Sequence, residues 1–316
     1  MDMEQPLSIR SLLETLRRNV VSYDLYAAVT LAVYVLLAVL FYPQVDDASA
    51  LILTDVLIAV SVASVILLHA MTGNRVVGLI RRFYMIPVVY LMYEQVHAFV
   101  RIVHPRDYDH LLIAADRALF GVDPTVWIGQ FATPFLTEYL QICYFMFYLL
   151  PIMHAVELAA SGQQGKFDAF IRGITYCYAI SYLLYFVMPA IGPRFTLHDF
   201  AATDTELPGL WLTPLLRDIV NQGGGIVGPG LDAAMVVNRD CMPSGHTMLT
   251  IVNIMLAFRL GSKFKWFFVV IGGSLIVATV YMRYHYVIDV LVGAVLAVAC
   301  LPHERIVDRW IKRRLS

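Results

Sequence analysis

The sequence predicts an all-α fold, a polytopic transmembrane helical bundle of about eight spans with six as the smaller alternative, carrying an interfacial helix and a long external loop. Three observations point there. Of 316 residues, 59% are apolar and 15% charged, where soluble domains run about 45–50% and about 25%. Mean hydropathy is +0.69. Eight segments approach the roughly 20 predominantly apolar residues of a spanning helix, and no linker marks off a soluble domain, so residues 1–316 read as a single integral membrane domain.

In chain order the spans are placed at Leu25–Tyr42, Leu51–Met71, Phe83–Val103, Phe135–Leu158, Ala169–Met188, Pro243–Leu260, Trp266–Met282 and His285–Leu301. The first follows Arg10, Arg17 and Arg18 and precedes Ala48-Ser49-Ala50, which together imitate a signal peptide; its apolar run of 18 residues is too long, and a retained signal-anchor helix is the better reading. The third carries Glu94, His97 and Arg101 at spacings that share one helix face. They suit pairing with one another or with neighbouring helices, or contact with a lipid head group.

Lys and Arg near span ends mark the cytoplasmic side. With the N-terminus inside and the spans alternating, cytoplasmic segments hold Arg10, Arg17, Arg18, Arg75, Arg81, Arg82, Lys166, Arg172, Arg259, Lys263, Lys265, Arg305, Arg309, Lys312, Arg313 and Arg314, sixteen of the 23 basic residues. Both termini are therefore expected inside, in a multi-pass protein of the cell membrane. Two segments fall outside. Residues 104–134 contain Asp109–Phe120, whose apolar positions recur at helical spacing between charges, as in a helix lying along the interface. Residues 189–240 read as an external loop with Gly223-Gly224-Gly225 and Gly228-Pro229-Gly230, flexible rather than phosphate-cradling because the Gly-Lys-Ser/Thr ending of a nucleotide loop is missing.

A net charge of −1 leaves no basic surface for nucleic acid. Cys143, Cys177, Cys241 and Cys300 have no paired spacing, which excludes a disulfide framework or zinc ribbon.

Ionisable groups at span mouths are costly and so are functional candidates. Three groups share the non-cytoplasmic side: Gly192-Pro193-Arg194, Arg239-Asp240-Cys241-Met242-Pro243-Ser244-Gly245-His246-Thr247, and Arg283-Tyr284-His285-Tyr286-Val287-Ile288-Asp289. Pro243 suits a first helical turn, leaving Ser244, Gly245 and His246 to offer free N–H groups to an anion, phosphate above all. His285 and Asp289, four apart, share a face on which the carboxylate fixes the imidazole tautomer and frees the other nitrogen as a nucleophile. His246 is placed to protonate a departing alkoxide, and Arg194 to meet phosphoryl oxygens with a fork of donors. A buried polar network, or a metal site from the same residues, is the competing reading.

Pro243-Ser244-Gly245-His246 resembles the second signature of the type 2 phosphatidic acid phosphatase superfamily, and His285-x-x-x-Asp289 the core of its third. Ser244-Gly245-His246-Thr247 and His285-Tyr286-Val287-Ile288-Asp289-Val290 are similar to the branch of sphingomyelin synthases and inositol phosphorylceramide synthases. The resemblance implies a catalytic core over 189–301, His285 as a nucleophile forming a phosphohistidine, Asp289 orienting it and His246 as acid and base. Ser244 and Gly245 would contact phosphate, with no metal or cofactor. The departures are Val187 where the first signature has Lys, Phe195 after Arg194, and Thr279 where the third has Arg; Arg239 or Arg283 is expected to supply the missing cation. The resulting expectation is a lipid phosphotransferase that moves a phosphoryl head group from a lipid phosphoester to a lipid alcohol. The alternatives are a lipid phosphatase with water as acceptor, and a non-enzymatic transporter or scaffold with a polar gate.

Overall fold

The computed structural model describes residues 8–227 and 232–315, so the Gly228-Pro229-Gly230 cluster lies outside the described residues. Among these residues the regular structure is helical, without strands. The chain divides into two compact units, Met1–Phe99 with Pro302–Ser316, and Val100–Leu301.

The first unit contains α1 (Ile9–Asn19), α2 (Ser22–Leu40), α3 (Ala48–Thr72), α4 (Arg75–Phe83) and most of α5 (Met85–Val103). The second contains α6 (Asp109–Phe120), α7 (Pro124–Gly129), α8 (Pro134–Phe145), α9 (Leu150–Ala160) and α10 (Gln164–Leu184). It continues through the short α11 (Pro193–Thr196) and α12 (Thr203–Glu206), then α13 (Thr213–Gly223), the short α14 (Ala233–Val236), α15 (Gly245–Leu260) and α16 (Lys265–Tyr281). The last helix, α17 (Val287–Leu315), begins in the second unit and ends in the first.

All eight apolar segments are helical, yet fewer reach spanning dimensions than the sequence suggested. Four candidates are long and apolar enough, α2, α3, the α4–α5 pair and α17; Pro134–Tyr148 with Leu150–Ala160, bent by 51°, adds a fifth if it is one span. The reasons are local. Pro151 in the first turn of α9 lacks an N–H and breaks the fourth segment next to a 3₁₀ turn at Met146–Tyr148. Helices α15 and α16 are only 16 and 17 residues long, and α10 opens on Lys166, Asp168 and Arg172. Conversely α17 runs through Pro302 to Leu315, past the boundary expected at Leu301.

Within the first unit α3 inverts a soluble helix. Leu53, Val56, Leu57 and Val60 are exposed while Asp55 is buried, the arrangement a lipid-facing helix requires. Polar groups there are tied side chain to side chain: Arg81 donates to Asp24 at 2.6 Å, Ser22 to Asp308 at 2.6 Å and Tyr26 to Glu304 at 3.2 Å.

The second unit is organised by buried carboxylates that accept backbone N–H groups. Helix α6 lies where the sequence placed an interfacial helix, but Asp109 and Asp116 face the protein: both are buried. Asp109 accepts from Ile191 N at 3.0 Å and Gly192 N at 2.8 Å. Asp116 accepts from Val287 N at 2.9 Å and Ile288 N at 2.8 Å, closing the first two amides of α17 with negative charge at the positive end of its dipole. Glu138 on α8 does the same for α13, receiving Leu210 N, Trp211 N, Thr213 N and Thr213 Oγ1 on Oε2 and Leu212 N on Oε1. Within the external loop read from sequence at 189–240, the described residues 189–227 and 232–240 form short helices fastened at defined points.

Asp116→Ala removes a cap and is expected to destabilise the protein by about 1–2 kcal/mol, seen as a lowered thermal midpoint in detergent. Asp123→Ala, which removes only the exposed ion pair with Arg117, leaves the midpoint in place.

Candidate functional site

The site is built where the start of α15 meets the turn into α17. Helix α15 begins at Gly245; Ser244 is its N-cap, with Oγ accepting from Thr247 N at 3.2 Å. Pro243 therefore precedes the cap instead of occupying the first turn, and Ser244 N is engaged, donating to Asp289 O at 3.2 Å. The amides left facing outward by helix geometry are those of Gly245 and His246. This junction is tight. A Cβ on Gly293 would stand 2.6 Å from the backbone Ser244 O, so glycine is required there, and one on Gly245 would stand 2.5 Å from the Tyr185 hydroxyl, which would have to shift.

His285 lies two residues before α17 rather than on its first turn, fixed by its N–H to Thr279 O at 3.0 Å. The side chain still reaches Asp289, with Nδ1 to Oδ2 at 3.0 Å. Nδ1 is also 3.0 Å from Cys241 O. Both neighbours are acceptors, so Nδ1 carries the proton and donates, and the Nε2 lone pair is left free. Nε2 faces His246 Nδ1 at 3.3 Å, which assigns His246 Nδ1–H as the donor in that contact. Asp289 is fully buried and receives a second donor, the Cys241 thiol, at 2.8 Å from Oδ2. Burial first, and then the adjacent Asp289 charge, hold the Cys241 thiol well above its usual pKa, so it serves as an S–H donor. Donor atoms of Cys241, His285 and Asp289 lie within 4.8 Å of one another, a spacing a metal ion can bridge.

Aromatic rings surround His246. Its imidazole stacks on Tyr144 with centroids 4.7 Å apart and packs on Phe147 at 4.3 Å. Tyr144 in turn stacks on Tyr284 at 4.6 Å, and the Arg194 guanidinium lies over Tyr284 at 4.8 Å. Arg194 is seated by its own N–H to Arg283 O at 3.0 Å and by Gly192, whose φ of +96° and 2.8 Å approach of a would-be Cβ to Tyr284 O both demand glycine.

The three candidate cations differ in what they face. Arg239 meets Asp107 at 3.3 Å and the carbonyls of Ala234, Met235 and Val237. Arg283 meets Glu206. Arg194 meets a neutral acceptor, Asn221 Oδ1 on α13, at 2.8 Å, and burial alone draws its pKa down from the ordinary arginine value without discharging it. The structure thus brings His246, His285, Asp289, Ser244 and Gly245 together, joins Arg194 to them through Tyr284, and turns Arg239 and Arg283 to carboxylates. Val187, at the position of the missing lysine, is exposed, and Thr279, at that of the missing arginine, is buried. Arg101, read with Glu94 and His97 as one face, donates to Met235 O at 2.5 Å, while His97 packs edge-on against Tyr93.

Sequence reasoning missed Cys241, Asn221, Tyr144 and the carboxylates Asp109, Asp116 and Glu138. Only the seven-residue spacing of Asp109 and Asp116, on one face with Leu112, gave a signal of burial.

Residues 110–302 match the family model described as PAP2 superfamily. Comparisons with curated proteins and with solved structures each find no match. The matched stretch covers more than half of the chain and holds every residue of the His246, His285 and Asp289 arrangement, and the protein belongs to the PAP2 superfamily, whose members are phosphatases or phosphotransferases.

Proposed function

We propose that the protein is a lipid phosphotransferase that works through a phosphohistidine on His285 at the non-cytoplasmic face of the membrane. The observation that carries this is the pair of acceptors on His285 Nδ1, which leaves Nε2 unprotonated and facing a second histidine.

In the first step the Nε2 lone pair attacks phosphorus. An N–P bond forms as the P–O bond to the leaving group breaks, and the leaving oxygen takes a proton from His246. Positive charge gathering on His285 is stabilised by buried Asp289, which keeps its own negative charge. In the second step the hydroxyl of a lipid alcohol attacks phosphorus while His246 accepts its proton, and the N–P bond breaks. The phosphoryl group enters between the two imidazoles, so their 3.3 Å contact opens when substrate binds. The outward amides of Gly245 and His246 and the guanidinium of Arg194 face the phosphoryl oxygens. Arg194 suits this role because it is buried and oriented by a hydrogen bond to a neutral carboxamide. The chemistry assigned to these residues uses no cofactor.

The intact Pro243-Ser244-Gly245-His246 string also suits hydrolysis, with water as the acceptor. Protein in vesicles supplied with a panel of lipid phosphoesters, with and without an alcohol-bearing lipid, separates the two. New lipid formed only with acceptor is the expected outcome; phosphate release without acceptor overturns transfer in favour of hydrolysis, and turnover of nothing in the panel overturns both.

His285→Ala is expected to abolish turnover while expression and thermal midpoint stay near wild type, and retained turnover rejects the nucleophile assignment. His246→Ala is expected to lower turnover by about 10²–10⁴-fold. Arg194→Ala is expected to lower it by about 10²–10³-fold, with an activity assay and thermal melt run side by side.

A further inference from the structure

Helix α13 presents three sectors. Thr213, Leu216, Arg217 and Val220 are buried against the protein. Leu215 and Ile219, with Leu212 at the N-cap and Trp211 just before it, are exposed, Trp211 at 85%. Between these sectors runs a polar edge in which Gln222 donates to Asp218 at 2.8 Å. Protein, apolar solvent and water are the three surroundings such a helix matches, which is the pattern of a helix lying in a membrane interface.

Its mounting supports the same conclusion. Glu138, in the second turn of α8, gathers the amides of Leu210 through Thr213, so the exposed Trp211 stands beside the start of the apolar pair α8 and α9. Phe135, in the first turn of α8, is 74% exposed, and Trp127 and Phe131 just before it are exposed and packed on each other at 5.2 Å. Exposed aromatic rings gathered at the end of an apolar helix are the signature of the head-group level of a bilayer.

We propose that the Trp211, Leu212, Leu215 and Ile219 face of α13 is seated in the leaflet at the active-site side, its occupant being the lipid bilayer. The proposal rests on the lipid phosphoester reading for its purpose. The same helix carries Asn221, whose Oδ1 accepts from Arg194, so a helix held at head-group depth sets the depth of the cation that meets phosphate. A lipid phosphoester then reaches the site laterally, its acyl chains remaining beside α13 in the leaflet.

The test uses the full chain in phosphatidylcholine vesicles, with Trp127, Trp266 and Trp310 changed to Phe so that Trp211 is the sole indole. Emission is expected to be blue-shifted and quenched roughly twofold or more by lipids brominated high on the acyl chain, as an indole about 5–10 Å into the boundary requires, with little quenching by aqueous acrylamide. Quenching by acrylamide alone overturns the proposal in favour of a water-exposed loop. Quenching by neither overturns it in favour of cover by protein, a second copy included. Should the triple variant fail to fold, the difference in quenching between wild type and Trp211→Phe gives the same readout. The measurement needs no turnover, so its outcome and that of the phosphotransfer assay are separable.

Discussion

A carboxylate with no exposure sets the terms for this site. Taking Asp289 out of water is expensive unless donors meet it, and two side chains meet its Oδ2, the His285 imidazole at 3.0 Å and the Cys241 thiol at 2.8 Å. Those donors come from different parts of the chain, so satisfying Asp289 requires that the segment before α15 and the turn before α17 be pressed together. Gly293 makes the approach sterically possible, and Ser244 N to Asp289 O fixes its register. The tautomer of His285 follows from the same contacts.

The loops of the second unit obey a similar rule. Where a soluble protein would let loop amides bond to water, Asp109, Asp116 and Glu138 supply carboxylate oxygens from within helices α6 and α8. Each satisfies several otherwise orphaned amides and fixes an element that carries part of the site: Gly192 before Arg194, the start of α17 after His285, and α13 with Asn221. Charge-assisted bonds of this kind are stronger than neutral ones. They hold the described part of a long connection, residues 189–227 and 232–240, in a defined shape.

Much of this was legible from residue order alone, for identifiable reasons. Apolar runs specify helices because backbone groups in an apolar medium must pair locally, and all eight runs are helical. His285 and Asp289 pair because four-residue spacing stays in reach even though the helix begins only at Val287. Less legible was anything that depends on a distant partner. Whether Asp116 is solvated or caps α17 depends on a helix 171 positions away. Pro243 looks like a helix start until Asp289 O claims the next amide. Hydropathy likewise does not register the 51° bend between α8 and α9.

The three arginines show why position in a motif is weaker evidence than the company a charge keeps. All three are buried, and Arg239 and Arg283 lie close in sequence to the reactive residues. A guanidinium opposite a carboxylate has part of its charge offset by that partner; this describes Arg239 with Asp107 and Arg283 with Glu206. Arg194 is instead oriented by a carboxamide, Asn221, and by the faces of Tyr284 and Phe195. The aromatic faces fix its plane without discharging it. Arg194 combines burial with a geometry fixed by a neutral hydrogen-bond partner and aromatic faces, properties that preorganised stabilisation of a phosphoryl transition state requires.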